Sequence, residues 1–525
     1  MAARDGRRPA RRRWGALAVL CVSPLLVTLD RGVLIVALPT LVRQMHVASG
    51  QLQWIVAAYV VVFAGLLLVG GSLADRIGRK RTLLAGLAVF AAGSAGAAFS
   101  GSVGALIAAR AGMGIGGALM IPSSLSITTA VFPDPGDRQR AIGVWAGTAG
   151  VGSCLGPVIG GLLLENFWRG SVFLIDVPIA ALGLGFVITL VPDSKNPAAR
   201  PPDAPGALLS IAALGLVLFA LIEAPARGWT SAVVIGPGAG GLAALGGFVG
   251  WERLSSHPML NLGFFRERSF CGAVTPLGLG MFGLFGSTFL LALFIQFILG
   301  HNALEAGLRE LPTAGTAAVV SVASPLIVRA AGGKLAIAAG LLILAAGLWL
   351  ISGASLTSGY GGIAAGQIMI GSGTGLVIPS ATASVIGAVP RRHAGVGSAT
   401  NELVLQTGGA LGVAVIGSLF STRYRGTVTR WLTPHHVPAG VLHTARGSVG
   451  GALGASARIG GPLGQLIAQA ARSAFASGMQ LGLLAGAATA AAGAIVALLV
   501  LPPRTRPDQM NKPAGQTPAA RRSGS

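Results

Sequence analysis

Charge is scarce in this chain, and acidic charge is scarcest. Only 10% of its 525 residues are charged, against about a quarter in soluble domains. With 53% hydrophobic residues, that shortfall excludes an ordinary globular enzyme and a disordered chain. Cysteine is almost absent. Cys21, Cys154 and Cys271 lie in or beside apolar segments, at spacings that suit neither a metal site nor a disulfide framework. They read as small buried hydrophobes. No GxxxxGK followed by Ser or Thr is present, so ATP hydrolysis is not indicated. HExxH and Asp-rich diphosphate motifs are also missing, and neither enzyme chemistry nor a cofactor is expected. No run interleaves basic residues with aromatics. That argues against nucleic acid, although 38 Lys and Arg oppose 16 Asp and Glu for a net charge of +22. His436 and His443 have no nearby Cys or carboxylate to complete a metal site.

What the chain has is long apolar runs. A helix needs roughly 20 mostly apolar residues to cross the hydrocarbon core. Fourteen segments meet that length: 15–38, 51–73, 82–100, 103–129, 141–164, 172–191, 206–223, 232–251, 271–298, 307–328, 334–352, 360–386, 395–420 and 479–501. Glu223 and Glu402 interrupt the seventh and thirteenth. The first run is longer than a signal peptide's apolar region and reads as an uncleaved span. Basic residues favour the cytoplasmic side. With the N terminus inside, 26 of the 38 fall inside and 10 outside, six of those between 421 and 478. Both termini are therefore expected in the cytoplasm. The 421–478 stretch is too polar to span and reads as an external loop, partly helical on the membrane surface. The implied organisation is a basic N terminus (1–14), a six-helix bundle (15–191), a linker with two inserted spans (192–251) and a cytoplasmic loop (252–270). A second six-helix bundle (271–501) and a disordered tail (502–525) follow.

The two bundles are copies. GIGGALMIPSS (114–124) matches GSGTGLVIPSA (371–381) at an offset of 257. Gly78, Lys80 and Gly86 match Gly332, Lys334 and Gly340 at 254, and GSCLGPVIGG (152–161) matches GGALGVAVIG (408–417) at 256. The shift is eight spans. An even shift preserves orientation, so the fold class is all-α and membrane-embedded, with two parallel six-helix repeats and two inserted helices. Transporters built this way hold their site at the repeat interface.

Ionisable residues inside spans are the functional candidates, because a centred charge costs about 2.5–3.5 kcal/mol on insertion scales. Asp30 in LDRGVLIVALP lies nine residues from the external end of span one. Arg110 in RAGMGIGGA lies eight from that of span four. At about 1.5 Å per residue both sit some 12–14 Å deep, so they can meet. The guanidinium would lower the acid's pKa and burial would raise it, a balance suited to proton coupling. The plainer alternatives are a static buried pair and a pairing of Asp30 with Arg31. Glu402, with Asn401 and Gln406, is a second candidate proton or cation site. Asp176 and Glu223 read as interfacial. In GSLADRIGRKR (71–81), Gly71 and Gly78 suit a tight turn and close helix contact. Arg79 and Lys80 serve topology. Gly152, Gly156 and Gly160 fall on one helical face, and Pro157 bends that helix.

Taken together, these motifs resemble those of the major facilitator superfamily, in its fourteen-span drug:proton antiporter branch. LDRGVLIVALP is similar to that branch's LDxTxVNVALP, with Gly32 and Ile35 replacing Thr and Asn. GSLADRIGRKR (Gly71, Asp75, Arg76, Gly78, Arg79, Lys80) resembles the superfamily's cytoplasmic signature. There the resemblance implies that Asp75 latches one access state. RAGMGIGGA, with Gly114 and Gly116, resembles the branch's span-four motif. GSCLGPVIGG (Gly152, Gly156, Pro157, Gly160, Gly161) resembles the antiporter motif, which implies export and a seal against proton leak. The resemblance implies a monomeric exporter of amphipathic or cationic compounds that exchanges substrate for protons in the plasma (inner) membrane. Uptake of a metabolite on the same fold is the alternative. A non-transporting sensor lacks the regulatory sequence it would need.

Overall fold

The computed structural model describes residues 10–193, 203–255, 260, 262–354, 359–389, 394–435 and 437–502. The tail expected to be disordered lies outside this set from residue 503, as do His436 and the basic residues at 4–8, 195–200 and 391–392. Among the described residues there is no strand, and fourteen helices are long and apolar enough to cross a membrane. Lipid offers no hydrogen bonds, so each crossing satisfies its backbone internally.

The first bundle comprises α1 (Ala10–Leu20), α2 (Val22–Met45), α3 (Ser49–Ile77), α4 (Arg79–Ala98), α5 (Val103–Val131), α6 (Pro135–Asn166) and a sixth crossing broken into α7 (Ser171–Leu174) and α8 (Asp176–Leu190). An inserted hairpin follows, α9 (Ala204–Arg227) and α10 (Ala232–Leu254). The second bundle holds α11 (Arg268–Leu293), α12 (Ala303–Ala331), α13 (Gly333–Ser352), α14 (Tyr360–Gly387), α15 (Ala394–Leu432) and α18 (Gly461–Val500), with short α16 (Ala439–Gly447) and α17 (Val449–Ile459) before the last. Fourteen crossings put both described ends on one face, called here the near face.

Packing repeats between the halves. In the first, α2 pairs with α6, and α3 and α4 pair with α5; in the second, α11 pairs with α15, and α12 and α13 pair with α14. The glycine matches explain why. A Cβ on Gly116 would stand 2.8 Å from the Gly86 carbonyl oxygen, and one on Gly373 would stand 2.5 Å from that of Gly340. The same crossing is thus built twice, with backbone on backbone. Gly78 (φ +118°) and Gly332 (φ +89°) make the matching turns after α3 and α12 in a region that favours glycine. Gly116→Ala and Gly373→Ala should each lower stability by about 1–3 kcal/mol, as overpacking does. Unchanged thermal midpoints in detergent would contradict these contacts.

The 421–478 segment departs from expectation. It is not a loop. α15 runs unbroken to Leu432, past Glu402, and α18 begins at Gly461. At 1.5 Å per residue, helices of 39 and 40 residues are about 60 Å long, twice the hydrocarbon core. They stand well beyond the far face, where polar side chains carry no hydropathy signal. The α9–α10 hairpin lies against α3 and α15, one helix from each bundle.

Candidate functional site

Asp30 on α2 and Arg110 on α5 are brought together. Arg110 Nη1 donates to both Asp30 carboxylate oxygens at 2.7 Å, and both side chains are at most 2% exposed. A glycine makes this possible. A Cβ on Gly114, one turn from Arg110, would lie 2.6 Å from the Tyr59 carbonyl oxygen. Its absence lets α3 approach α5. Arg110 Nε then donates to the Ile55 carbonyl at 3.3 Å, and the guanidinium lies 4.8 Å from the Tyr59 ring centre. Each charge meets protein partners at a buried position.

Asp30 does not pair with Arg31, because successive helix residues point to different sides. Arg31 reaches the other bundle. Its Nη2 donates to Gln406 Oε1 at 2.5 Å, and Gln406 Nε2 donates to Glu402 Oε1 at 2.6 Å. The Arg31 guanidinium also covers the Phe285 ring at 4.4 Å. A narrow central cavity of about 40 Å³ lies between the two clusters. Arg31, Arg110, Tyr59 and Gln406 supply its polar edge, and Leu34, Val60, Phe285, Phe289 and Val413 its apolar walls. Glu402 reaches it only through Gln406.

The glycines of 152–161 serve two faces. Gly152, Gly156 and Gly160 all abut α2, and a Cβ on Gly156 would lie 2.9 Å from the Gly32 Cα. Gly161 and the Pro157 carbonyl turn to the other bundle, while the Pro157 ring packs on Gly32 of α2. A Cβ on Gly161 would lie 2.5 Å from the Leu304 Cα, and one on Gly307 would overlap the Pro157 carbonyl oxygen. Gln296 adds a donor to the Val36 carbonyl at 2.9 Å and accepts from Arg43 at 3.2 Å. Each of these cross-bundle contacts lies toward the far face. Nearer the other face, α6 exposes Val151 and Leu155, and α12 exposes Val319 and Val322. The central space is therefore closed on the far side.

In the 71–81 motif, Asp75 pairs with Arg79 at 2.9 Å, not across the bundles. Arg79 also donates to the Ser126 carbonyl at 3.4 Å, and Lys80 to that of Ile188 at 2.7 Å. Arg76 is exposed. The close approach expected at Gly71 falls one residue earlier. Gly71 has ordinary contact with Pro122, whereas a Cβ on Gly70 would overlap the Ala118 carbonyl oxygen.

Glu223 sits at the end of α9 and pairs with Arg227 at 2.8 Å. Asp176 is not interfacial. It is fully buried beside α4, where Ser94 donates to its Oδ2 at 3.3 Å. Sequence reasoning missed Glu310. This acid is 8% exposed on α12, and its Oε1 has no hydrogen-bond partner among the described residues. Nearby, Tyr360 donates to the Arg309 carbonyl at 2.7 Å and lies 3.2 Å from Gln367 Oε1. Gln367 stands 257 residues after Arg110, and Arg309 stands 254 after Ile55. The second bundle thus keeps the polar position without its arginine, and the repeat offset was the available signal.

Two matched bundles, a buried ion pair and a cavity between them define a membrane transporter of the two-repeat class. The chain belongs to the major facilitator superfamily, whose model matches residues 20–413. Its function is therefore transport of small molecules and not enzymatic. The chain is 34% identical over 487 residues to the multidrug efflux pump LfrA of Mycolicibacterium smegmatis, covering 90% of this chain and 93% of that one. It is 30% identical over 513 residues to the tetracenomycin C resistance and export protein of Streptomyces glaucescens, covering 96% and 95%. Among solved structures, a bacterial homologue of the human lysosomal transporter Spinster, described as inward-facing and unoccupied, aligns with a TM-score of 0.63 at 16% identity. That match covers 94% of this chain and 98% of the other and bears on the fold alone.

Proposed function

We propose that this protein exports small amphipathic or cationic compounds across the plasma membrane in exchange for protons. Both termini are cytoplasmic, and the monomer alternates access by rocking one bundle against the other. The observation that carries the reading is the Asp30–Arg110 pair, buried beside an apolar cavity shared by both bundles. Asp30 takes the proton. Arg110 is the partner that substrate or proton must displace from the carboxylate. The bridge from Arg31 through Gln406 to Glu402 couples that event to the second bundle. With cytoplasmic termini, closure on the far side is an inward-facing arrangement. Asp75 then latches the bundles in the opposite state, and the Pro157–Gly307 contact prevents proton leak in this one. Export is favoured over uptake by the antiporter motif and by the named activities of the two relatives.

Exchange of one proton for one monovalent cation moves no net charge, so the pH difference drives it, and about 1.7 pH units supply about 2.3 kcal/mol, enough for roughly a fiftyfold concentration ratio. Inverted vesicles with an acid lumen should therefore concentrate a cationic dye. Asp30→Asn should bring that ratio close to one while leaving dye binding measurable. Gradient-driven uptake equal to wild type would remove Asp30 as the proton carrier.

A further inference from the structure

The far face carries a cluster of positive charge that transport does not use. Between residues 421 and 478 there are six arginines and no aspartate or glutamate. Elsewhere the connections send most basic residues to the near face, as topology requires. Four of the six, Arg423, Arg425, Arg430 and Arg446, line one open concavity of about 810 Å³ where α15, α18 and the α9–α10 connection meet. Arg425 and Arg446 are half-buried, and each feels the like charge of the other. Arg446 Nε donates to Thr429 Oγ1 at 2.7 Å. Among the described residues none of the four forms an ion pair, and the neighbouring Glu223 is already held by Arg227. Like charges gathered in a half-buried hollow call for an anion.

The rest of the wall says which anion. Trp229, Leu419 and Leu481 share the concavity, and Trp229 and Leu481 are 48% and 41% exposed. Tryptophan favours the headgroup level of a bilayer. Guanidinium groups beside apolar side chains at that depth suit a phosphate carried on acyl chains better than a free one.

We infer that this concavity is a binding site for the phosphate of an anionic phospholipid in the far-face leaflet, with acyl chains along Leu419 and Leu481. The site is independent of proton coupling and of the direction of transport.

Native mass spectrometry of the delipidated full chain tests it, with dioleoylphosphatidylglycerol, dioleoylphosphatidylcholine and inorganic phosphate as separate probes. Wild type should retain phosphatidylglycerol in preference to phosphatidylcholine. Phosphate at equal concentration should not displace it. Arg425→Gln with Arg446→Gln should weaken phosphatidylglycerol binding about thirtyfold, from the usual contribution of an arginine near an anionic surface, and leave phosphatidylcholine unaffected. Arg425→Lys with Arg446→Lys should keep most of the preference. If the glutamine pair does not fold, Arg423→Gln with Arg430→Gln, at exposed positions, should weaken binding in the same direction. Equal retention of phosphatidylglycerol by wild type and every folded glutamine variant would overturn the site. Displacement by inorganic phosphate would overturn its assignment to lipid.

Discussion

Arg110→Leu should leave a folded but weakened transporter that no longer responds to a pH gradient. Breaking a buried ion pair from one side typically costs about 3–5 kcal/mol, because the remaining charge loses its answer. Asp30 is 1% exposed, and the substitution removes the arginine that answers it. In the proposed exchange, a carboxylate without that partner no longer links the gradient to substrate. The thermal midpoint should fall, and gradient-driven dye accumulation should vanish. Exchange of dye without a gradient should continue. Combining Asp30→Asn with Arg110→Leu should recover stability, since neither charge is then buried alone, but not accumulation. Normal gradient dependence in Arg110→Leu would show that the pair is only structural.

Gly307→Leu should hold the far side open. The position a side chain would take there is already occupied by the Pro157 carbonyl oxygen. Neither backbone can yield without moving α6 away from α12. The expected result is faster labelling of a cysteine placed at Leu304 by a membrane-impermeant maleimide, together with collapse of an imposed pH gradient in vesicles that contain no substrate. Vesicles as tight as wild type, with unchanged labelling, would sever the link between this contact and sealing. Gly161→Leu, against Leu304, should act the same way.

The parts readable from sequence are those with a one-dimensional signature. Length and hydropathy locate crossings because lipid punishes exposed backbone. Equal depth pairs Asp30 with Arg110 because both count from the same surface. The offset near 256 yields the repeat because each crossing needs its own glycine. What escaped depends on direction or on tertiary contact. Nothing in the local sequence turns Arg31 toward Gln406, 375 residues away. Gly70 and Gly71 differ only in which way they face. Glu310 fell close to an expected span boundary and so looked ordinary, and Asp176 is buried by the packing of α8 on α4, which hydropathy cannot register. The arginines after residue 421 masked two helices, because the test for a span assumes that a helix ends where the bilayer does.

The α9–α10 hairpin makes the molecule lopsided. Resting on α3 and α15, it roofs one of the two seams between the bundles, while the opposite seam, formed mainly by α6 and α12, has no inserted helix over it among the described residues. A greasy compound dissolved in the bilayer thus meets a shuttered flank and a bare one. The bare flank belongs to the same two helices whose contact closes the far end, so in the exporter proposed above a single joint would bear on sideways admission as well as release.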